Sequence, residues 1–323
     1  LLESFGVHHF SVFSSFEARI VRDVCDRRST IMTMGDIAEE DYEWIVEKGI
    51  ECFVYNYHTL RKLFETASML KKRCCVHIEL ETGMNRHGFP EHEWNQLINM
   101  LKENRDHFIF SGLCTHFAGA ESTANYKRIL DQQRCFLRGI ATFRDKDLCP
   151  DKIHSSCSAA ILAYPEFNHN LVRVGILTYG LWPSSEIELT YKIKNEKQQS
   201  PLEPVLSWRS RITDISEVKS GEFIGYGNSF LAERDMKIAS VPLGYGYGFN
   251  RSLSNTGRVI VNSQRLSVIG MVNMNMFLID ATNADIEVGD AVTIIGRDGD
   301  KTIHVSHFGN LSDTLNYELL TRI

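Results

Sequence analysis

Residues Val76 to Phe89 read VHIELETGMNRHGF, and this stretch decides our interpretation of the chain. Apolar Val76, Ile78 and Leu80 alternate with polar residues, which is the period-of-two pattern of a β-strand. A turn with the sequence TGMN follows, and Arg86 comes directly after it. A guanidinium at the end of a strand can bind a carboxylate substrate in a bidentate fork. Taken alone, an Arg–Glu pair at this place is more simply explained as a surface ion pair beside a turn.

Length and composition limit the class of protein. The chain has 323 residues, of which 43% are hydrophobic and 24% are charged, and these values are ordinary for a soluble protein with room for two domains. A formal net charge of −6 without a basic stripe argues against a nucleic-acid partner. No apolar run approaches the roughly 18 residues that span a bilayer, and the start LLESFGVHHF lacks the features of a signal peptide. We therefore expect a cytoplasmic protein without a membrane partner.

Cysteine and histidine spacing gives no metal motif. All eight cysteines lie at or before Cys157, with irregular spacing and no CxxC. This pattern is typical of reduced thiols in a cytoplasmic protein rather than of disulfides or a zinc site. His304 and His307 have no cysteine partners near them in the sequence, so we predict no bound metal.

Short apolar strands alternate with amphipathic helices over the first two thirds of the chain. The predicted strands are Val7–Phe13, Thr30–Met34, Glu51–Tyr55, Cys74–Leu80, Phe108–His116, Lys152–Ser156 and Leu171–Tyr179. Such alternation implies a parallel sheet, either doubly wound or closed into a barrel. One more strand and helix would complete an eight-fold barrel, and an open remnant would leave buried edges unpaired. We therefore expect a (β/α)8 TIM-like barrel whose first βα unit lies upstream of Leu1.

The last third of the chain has a different pattern. A polar segment with two prolines runs from about Lys194 to Glu203 and predicts a linker. Beyond it, short β-rich runs are separated by turns rich in Gly, Asn, Asp and Ser. We predict an α/β barrel over residues 1–198 and a mainly β domain over residues 199–323.

Several polar residues fall at the predicted carboxyl ends of barrel strands, where the active sites of such barrels lie. They are Glu79, Arg86, His116, Ser158, and Arg173 with the Gly175–Ile176 turn. Each has a simpler explanation: His116 as a structural histidine, for example, or Ser158 as a helix N-cap. Their repeated placement at one end of successive strands favours a site.

These motifs together resemble the alanine racemase family over nearly the whole chain. ETGMNRHGF is similar to the family's D-T-G-M-x-R-x-G loop. It is followed in family order by CTHFAGAES, HSSCSAAILAYP, LVRVGILTYG, GEFIGYGNSF, VPLGYGYGFNRSLS, GMVNMNM and LNYE. The resemblance implies an eight-fold α/β barrel that binds pyridoxal 5′-phosphate (PLP), followed by a mainly β domain. It also implies a homodimer whose active sites draw on both subunits.

The resemblance assigns roles around the substrate, which would be a small amino acid. Tyr226 would be a catalytic base that reaches the partner subunit's site. Arg86 would hydrogen-bond to the phenolic oxygen of PLP and lie near the substrate. His116 would lie against the cofactor and support Tyr226. Met274 would offer its backbone N–H to the substrate carboxylate, and Tyr245 would line the substrate entrance.

The resemblance also assigns cofactor contacts. Ser158, Gly175, Ile176 and Tyr317 would bind the phosphate, and Arg173 would face the pyridine nitrogen. Because an arginine is always protonated, it would leave that nitrogen unprotonated and limit side reactions. Removal of a barely acidic α-proton needs the electron-withdrawing cofactor, and inversion needs two bases on opposite faces.

The sequence departs from the family pattern in its lysines. The lysine that binds PLP in the family lies on the first barrel strand, and no similar segment occurs between Leu1 and Ile323. We expect it in the upstream βα unit. Many members carry a carbamylated lysine where Glu79 stands. A carboxylate at Glu79 could orient the arginine in the same way, so we predict a contact between Glu79 and Arg86.

Other departures lie near the substrate entrance or the dimer seam. Cys157, Asn273 and Asn275 replace an asparagine, a cysteine and an aspartate that are frequent in the family, and GYGYG replaces GYADG. The hypothesis is a PLP-dependent alanine racemase that works by two bases and supplies D-alanine for peptidoglycan. The alternatives are a racemase of serine or larger amino acids, a non-catalytic PLP-binding relative, and a sugar hydrolase that uses Glu79 and Glu81.

Overall fold

The computed structural model describes residues 1–196, 199–312 and 316–323. The chain divides into two compact units. The first comprises Leu1–Gly175 and Trp182–Gln199, and the second comprises Ile176–Leu181 and Ser200–Ile323. The boundary expected after residue 198 falls on a residue outside the described ranges, and it stays a prediction.

The first unit is built on a six-stranded parallel sheet that forms a half-barrel. Its strands are β1 (His9–Val12), β2 (Thr30–Thr33), β3 (Glu51–Val54), β4 (Cys74–Glu79), β5 (Phe108–Cys114) and β6 (Lys152–His154). They pair in chain order without a crossover, each parallel to the next. This order is that of a (β/α) barrel wall, whereas a doubly wound sheet reverses direction part-way. The predicted barrel class is confirmed.

Helices follow the strands of the first unit. They are α1 (Ser15–Val24), α2 (Tyr42–Lys48), α3 (Tyr57–Leu70), α4 (Trp94–Glu103), α5 (Tyr126–Arg144), α6 (Ser158–Ala163) and α7 (Ser185–Lys194). α1 begins with a capping box: Ser14 Oγ accepts from the Glu17 N–H, and the Glu17 carboxylate accepts from the Ser14 N–H. Apolar helix faces pack on the strands, and Leu60, Leu63, Leu97 and Leu101 are fully buried there.

The seventh predicted strand, Leu171–Tyr179, is wrong. Arg173 makes an isolated parallel bridge to Cys157, and Ile176–Tyr179 forms a 3-10 helix. Apolar Val174 is 51% exposed, so the alternation in this segment does not reflect a buried strand face. Around Arg173 the segment runs parallel to the end of β6 and the residues after it, since the Leu171 N–H donates to the Ile153 oxygen and the Arg173 N–H donates to the Ser156 oxygen.

The second unit is an antiparallel sheet, which confirms the predicted mainly β domain. Its strands are β7 (Trp208–Arg211), β8 (Asp214–Val218), β9 (Met236–Val241), β10 (Arg258–Val261), β11 (Gln264–Ile269), β12 (Phe277–Asp280), β13 (Ala291–Asp298) and β14 (Lys301–Ile303). Their order is β14-β13-β10-β11-β12-β9-β8, and β7 pairs with β13. Helices α8 (Val305–Ser312) and α9 (Asn316–Leu320) follow. Between β8 and β9, Phe223 and Leu231 form an isolated antiparallel bridge.

No helix in the described ranges combines the length and the apolar character that crossing a membrane requires.

Candidate active site

The Arg173 guanidinium contacts the carboxyl ends of both β5 and β6. The Arg173 guanidinium donates to the backbone oxygens of Thr115 at 2.8 Å and Ser155 at 3.2 Å, which directly follow the two strands. It also lies 2.5 Å from Nδ1 of His154, the last residue of β6. The structure therefore brings Arg173 to the strand ends where the sequence predicted a site.

His116 lies beside the same guanidinium as a neutral ring. Its Nδ1 is 3.3 Å from Nη2 of Arg173. Burial, together with the positive charges of Arg173 and Arg86, lowers the pKa of His116 to about 3. A neutral imidazole has a lone pair that can accept from the guanidinium, so Arg173 and His116 form one polar cluster.

The loop after β4 folds around Glu81. The Glu81 carboxylate accepts from the backbone N–H groups of Gly83, Asn85 at 2.6 Å and Arg86 at 3.3 Å. Gly88, with φ +110°, closes the loop, because a Cβ there would lie 2.8 Å from the Glu81 nitrogen. The guanidinium-bearing segment is thus held by a carboxylate that sequence reasoning had considered only as a sugar-hydrolase acid.

Glu79 meets His87 instead of Arg86, which corrects the predicted contact. The carboxylate is buried, and its Oε2 lies 2.6 Å from His87 Nδ1, without the alignment of a hydrogen bond. Burial raises the pKa of Glu79 to about 7, although the charges of Arg173 and Arg86 lower it. The fold of the loop around Glu81 leaves Arg86 exposed and turns His87 towards Glu79, where its ring stacks on Tyr55.

Ser158 and Gly175 form a small polar contact in the first unit. The Gly175 N–H donates to Ser158 Oγ at 2.8 Å, and Ser158 is 1% exposed. Ser158 is the first residue of α6, whose N-cap is Cys157, so the simpler explanation of Ser158 as an N-cap does not hold. Because Ser158 Oγ accepts from Gly175, its own hydrogen is available to a ligand.

Five of the predicted site residues belong to the second unit. Tyr245 and Met274 come together there, since the Tyr245 N–H donates to the Asn273 oxygen at 3.0 Å and the Gly246 N–H donates to the Met274 oxygen at 2.9 Å. Both side chains are exposed. Their shared position is consistent with a binding surface on this unit.

Tyr226 is presented by a turn between two glycines. Gly225 and Gly227 have φ of +76° and +65°, a conformation that glycine adopts without strain. The Tyr226 side chain is 72% exposed. Of the remaining predicted residues in this unit, Ile176 is buried and Tyr317 is 44% exposed.

Comparison with known proteins gives the family. Residues 1–183 match the model of the alanine racemase N-terminal domain, and residues 205–323 match that of the alanine racemase C-terminal domain. The chain belongs to the alanine racemase family. It is 33% identical to the alanine racemase of Methanococcus maripaludis over 320 residues, which are 98% of this chain and 83% of that protein. It is 32% identical to the alanine racemase of Leptospira interrogans over 98% of this chain and 80% of that protein.

Solved alanine racemase structures have the same fold. The enzyme of Clostridium difficile is 28% identical, with a TM-score of 0.86 over 100% of this chain and 81% of its own. The enzyme of Bacillus anthracis with bound L-Ala-P is 29% identical, with a TM-score of 0.84 over 97% and 78%. The predicted family and enzyme class are confirmed.

Sequence reasoning missed the residues behind Arg173 inside the half-barrel. They are Glu51, His77, Lys152 and His154, which lie on β3, β4 and β6. His77 alternates with apolar Val76 and Ile78 as a solvent-facing residue would, and Glu51 is the first residue of β3, so neither position signals burial. The contacts among these four side chains depend on how neighbouring strands are aligned in the sheet. The sequence does not give that alignment, so these contacts could not be predicted.

Proposed function

We propose that this family member racemises alanine with PLP as its cofactor, as a homodimer with composite active sites. Arg173 carries the proposal: it joins the ends of two barrel strands beside a neutral histidine, in a chain of the alanine racemase family. The eight cysteines are free thiols, which favours a reducing compartment such as the cytoplasm. Supply of D-alanine for peptidoglycan is the role that we propose for the product.

The donor groups at the strand ends fit PLP. Among the described residues, no acceptor meets the Nε–H of Arg173, although both of its terminal nitrogens are engaged. That N–H can donate to a pyridine nitrogen. Ser158, whose hydroxyl hydrogen is available beside Gly175, would bind the phosphate, with Ile176 and Tyr317 included on the family resemblance. When bound, PLP supplies the electron sink that makes an amino acid's α-proton removable.

Arg173 would keep the ring nitrogen of the cofactor unprotonated. An arginine does not give up its proton in proteins. Its neighbour His116 is neutral, so it cannot supply a proton either. This arrangement limits the electron withdrawal to what racemisation needs.

Tyr226 would move the proton on one face of the substrate in the partner subunit's site, and Arg86 would lie near the cofactor's phenolic oxygen. Met274 would donate its backbone N–H to the substrate carboxylate, and Tyr245 would limit the size of the entrance. Glu79 interacts with Arg86 only through its charge, because the Glu79 carboxylate contacts His87. Racemisation requires proton transfer on both faces, and Tyr226 accounts for one of them.

Two asparagines beside the proposed entrance bear on the range of substrates. Asn273 and Asn275 flank Met274, and the Asn273 backbone oxygen accepts from Tyr245, so both asparagines lie beside the proposed entrance. Additional amide groups there favour a hydrogen-bonding substrate, and a racemase that also accepts serine is the second candidate.

The test is isotope exchange in deuterated water. The PLP-loaded protein should incorporate deuterium at the α-carbon of L-alanine and form D-alanine, and Tyr226→Phe should lose at least about a hundredfold in rate, as expected for a missing general base. Tyr126→Phe, at an exposed tyrosine of the first unit outside the proposed site, is the matched control and should keep its rate. Absence of exchange with both alanine and serine would refute the proposal, and faster exchange with serine would favour the second candidate.

A further inference from the structure

A chain of side-chain hydrogen bonds leads from Arg173 into the half-barrel. Arg173 Nη1 lies 2.5 Å from His154 Nδ1, and His154 Nε2 lies 2.8 Å from His77 Nδ1. His77 Nε2 lies 2.8 Å from Glu51 Oε2, and Glu51 Oε1 lies 2.5 Å from Lys152 Nζ. Both imidazoles are fully buried and Glu51 is 5% exposed. The chain therefore connects a proposed cofactor contact to an interior carboxylate.

The two ends of this hydrogen-bond chain, Arg173 and Glu51, fix which group donates and which accepts at each step. Arg173 can only donate, so His154 Nδ1 must carry a lone pair. A carboxylate can only accept, so His77 Nε2 must carry a hydrogen for Glu51. With both rings neutral, His154 Nε2–H donates to the lone pair on His77 Nδ1. Each ring is then the Nε2–H tautomer, and every contact in the chain pairs one donor with one acceptor.

We propose that Glu51 is a positioning residue for Arg173 and acts through His77 and His154. By accepting from His77, Glu51 selects the tautomer in which His154 presents a lone pair to the guanidinium. The consequence for the cofactor rests on the proposed function, whereas the hydrogen-bond direction does not.

Protonation of either His154 or His77 would break the hydrogen-bond chain. A cationic His154 would carry a hydrogen on Nδ1, facing the N–H of Arg173. A cationic His77 would force the opposite tautomer on His154, with the same result. The two rings are therefore required to be neutral for as long as Arg173 is held as the structure shows.

The charges around the chain support this state. Burial lowers the pKa of His77, and burial with the charge of Arg173 lowers that of His154 well below its ordinary value. Burial opposes ionisation of Glu51, but the hydrogen bonds and charges of His77 and Lys152 outweigh it and lower its pKa to about 2. His9, which lies 3.8 Å from Glu51, also has its pKa lowered by burial.

Gly112 and Phe53 pack closely around the hydrogen-bond chain. A Cβ on Gly112 of β5 would lie 2.1 Å from His77 Nδ1, so glycine leaves the space that this ring occupies. The Phe53 ring lies 6.1 Å from the His77 ring and 5.6 Å from the His154 ring, and the Arg173 guanidinium carbon is 5.8 Å from its centre. Phe53 thus packs against three members of the chain and keeps them apart from water.

The first experiment reads the tautomers directly. Long-range ¹H–¹⁵N spectra of protein labelled in its histidines distinguish nitrogens that carry a hydrogen from those with a lone pair. We expect His77 and His154, assigned by single substitution, to be Nε2–H tautomers without charge from pH 6 to 8. A hydrogen on Nδ1 of either ring, or a cationic ring, would overturn the proposal whether or not PLP binds.

The second experiment separates Glu51 from Lys152. Glu51→Leu removes the acceptor, and we expect the fixed tautomers and the resolved Nη–H signals of Arg173 to be lost. PLP affinity, measured by equilibrium dialysis, should fall about tenfold, as for a lost hydrogen bond to a charged group. Lys152→Met removes the other partner of the same carboxylate and should leave the tautomers and the affinity unchanged.

A third variant should restore the tautomers that Glu51→Leu loses. In Glu51→Gln combined with Lys152→Met, the amide oxygen has no competing cation and can accept from His77, so the wild-type tautomers should return. Unchanged Arg173 signals in Glu51→Leu would overturn the proposal. A wild-type protein with the expected tautomers but no PLP binding would instead refute the proposed function alone.

Discussion

At the scale of single residues, the Arg173 guanidinium lies at the carboxyl ends of β5 and β6, whereas the contact between His77 and Glu51 lies inside the half-barrel. His116 follows the recognisable strand β5, so its place at this edge of the sheet could be predicted. Arg173 lies in residues 171–179, which were wrongly predicted as a strand, so its contacts with the ends of β5 and β6 could not be derived from periodicity. The contact between His77 and Glu51 joins residues of β4 and β3 that are 26 positions apart, and it depends on the parallel register that pairs Glu51 with Cys75. No local pattern encodes that register.

Glu79 gives a prediction about stability and pH. Its pKa in the folded protein is about 7, against an ordinary value of 4.5, so the folded state binds this proton more tightly than the unfolded chain. The stability that the proton provides is present below pH 4.5 and is lost as the pH rises through 7, by at most about 3 kcal/mol. In Glu79→Gln this dependence should be absent.

The measurement is urea unfolding of the wild type and Glu79→Gln between pH 4.5 and 8. The free energy of unfolding of the variant should rise relative to the wild type with increasing pH. Both proteins carry the background substitution His87→Gln, which removes the titration of the histidine whose Nδ1 lies 2.6 Å from the Glu79 carboxylate. A difference that stays constant over this range would show that Glu79 is ionised throughout.

At the scale of elements, alternation located six strands within a few residues, because buried strands and amphipathic helices have different periods. It failed at residues 171–179, where the structure has one isolated parallel bridge beside the end of β6 and then a 3-10 helix. It also predicts a single β-rich run over Ser207–Ile215, where the structure has β7 and β8. A segment forms a strand only where a neighbouring strand hydrogen-bonds to it. Sequence periodicity carries no information about where that neighbouring strand ends.

The capping box of α1 gives a second prediction. Ser14→Ala removes the side-chain acceptor of the Glu17 N–H and should lower the free energy of unfolding by about 1 kcal/mol. Ser11→Ala, at an exposed position of β1, is the matched control and should change it by less than about 0.5 kcal/mol. Chemical denaturation of both variants is the measurement, and equal losses would show that the box does not stabilise the helix.

The space left by Gly112 gives a third prediction. Gly112→Ala places a methyl group on the His77 ring, which is buried and bonded at both nitrogens and therefore has no free direction to move. We expect a loss of about 1–3 kcal/mol in the free energy of unfolding, together with altered ¹⁵N signals of His77. A wild-type spectrum in the variant would indicate that the ring lies elsewhere.

At the scale of the whole molecule, the proposed machinery is divided between two units of one chain. Arg173, His116 and Ser158 belong to the first unit, and Tyr226 and Met274 belong to the second. Their division fits an enzyme in which each active site takes its first-unit residues from one subunit and its second-unit residues from the partner. That composite site is the central claim about function.

Mixing two inactive variants tests this claim most directly. Tyr226→Phe retains the Arg173 side of the site, and Arg173→Gln retains Tyr226. After subunit exchange, each mixed dimer should contain one intact and one doubly impaired site, so random pairing predicts recovery of about one quarter of wild-type racemase activity. Activity that stays at the sum of the two separate variants after exchange would contradict a site shared between subunits.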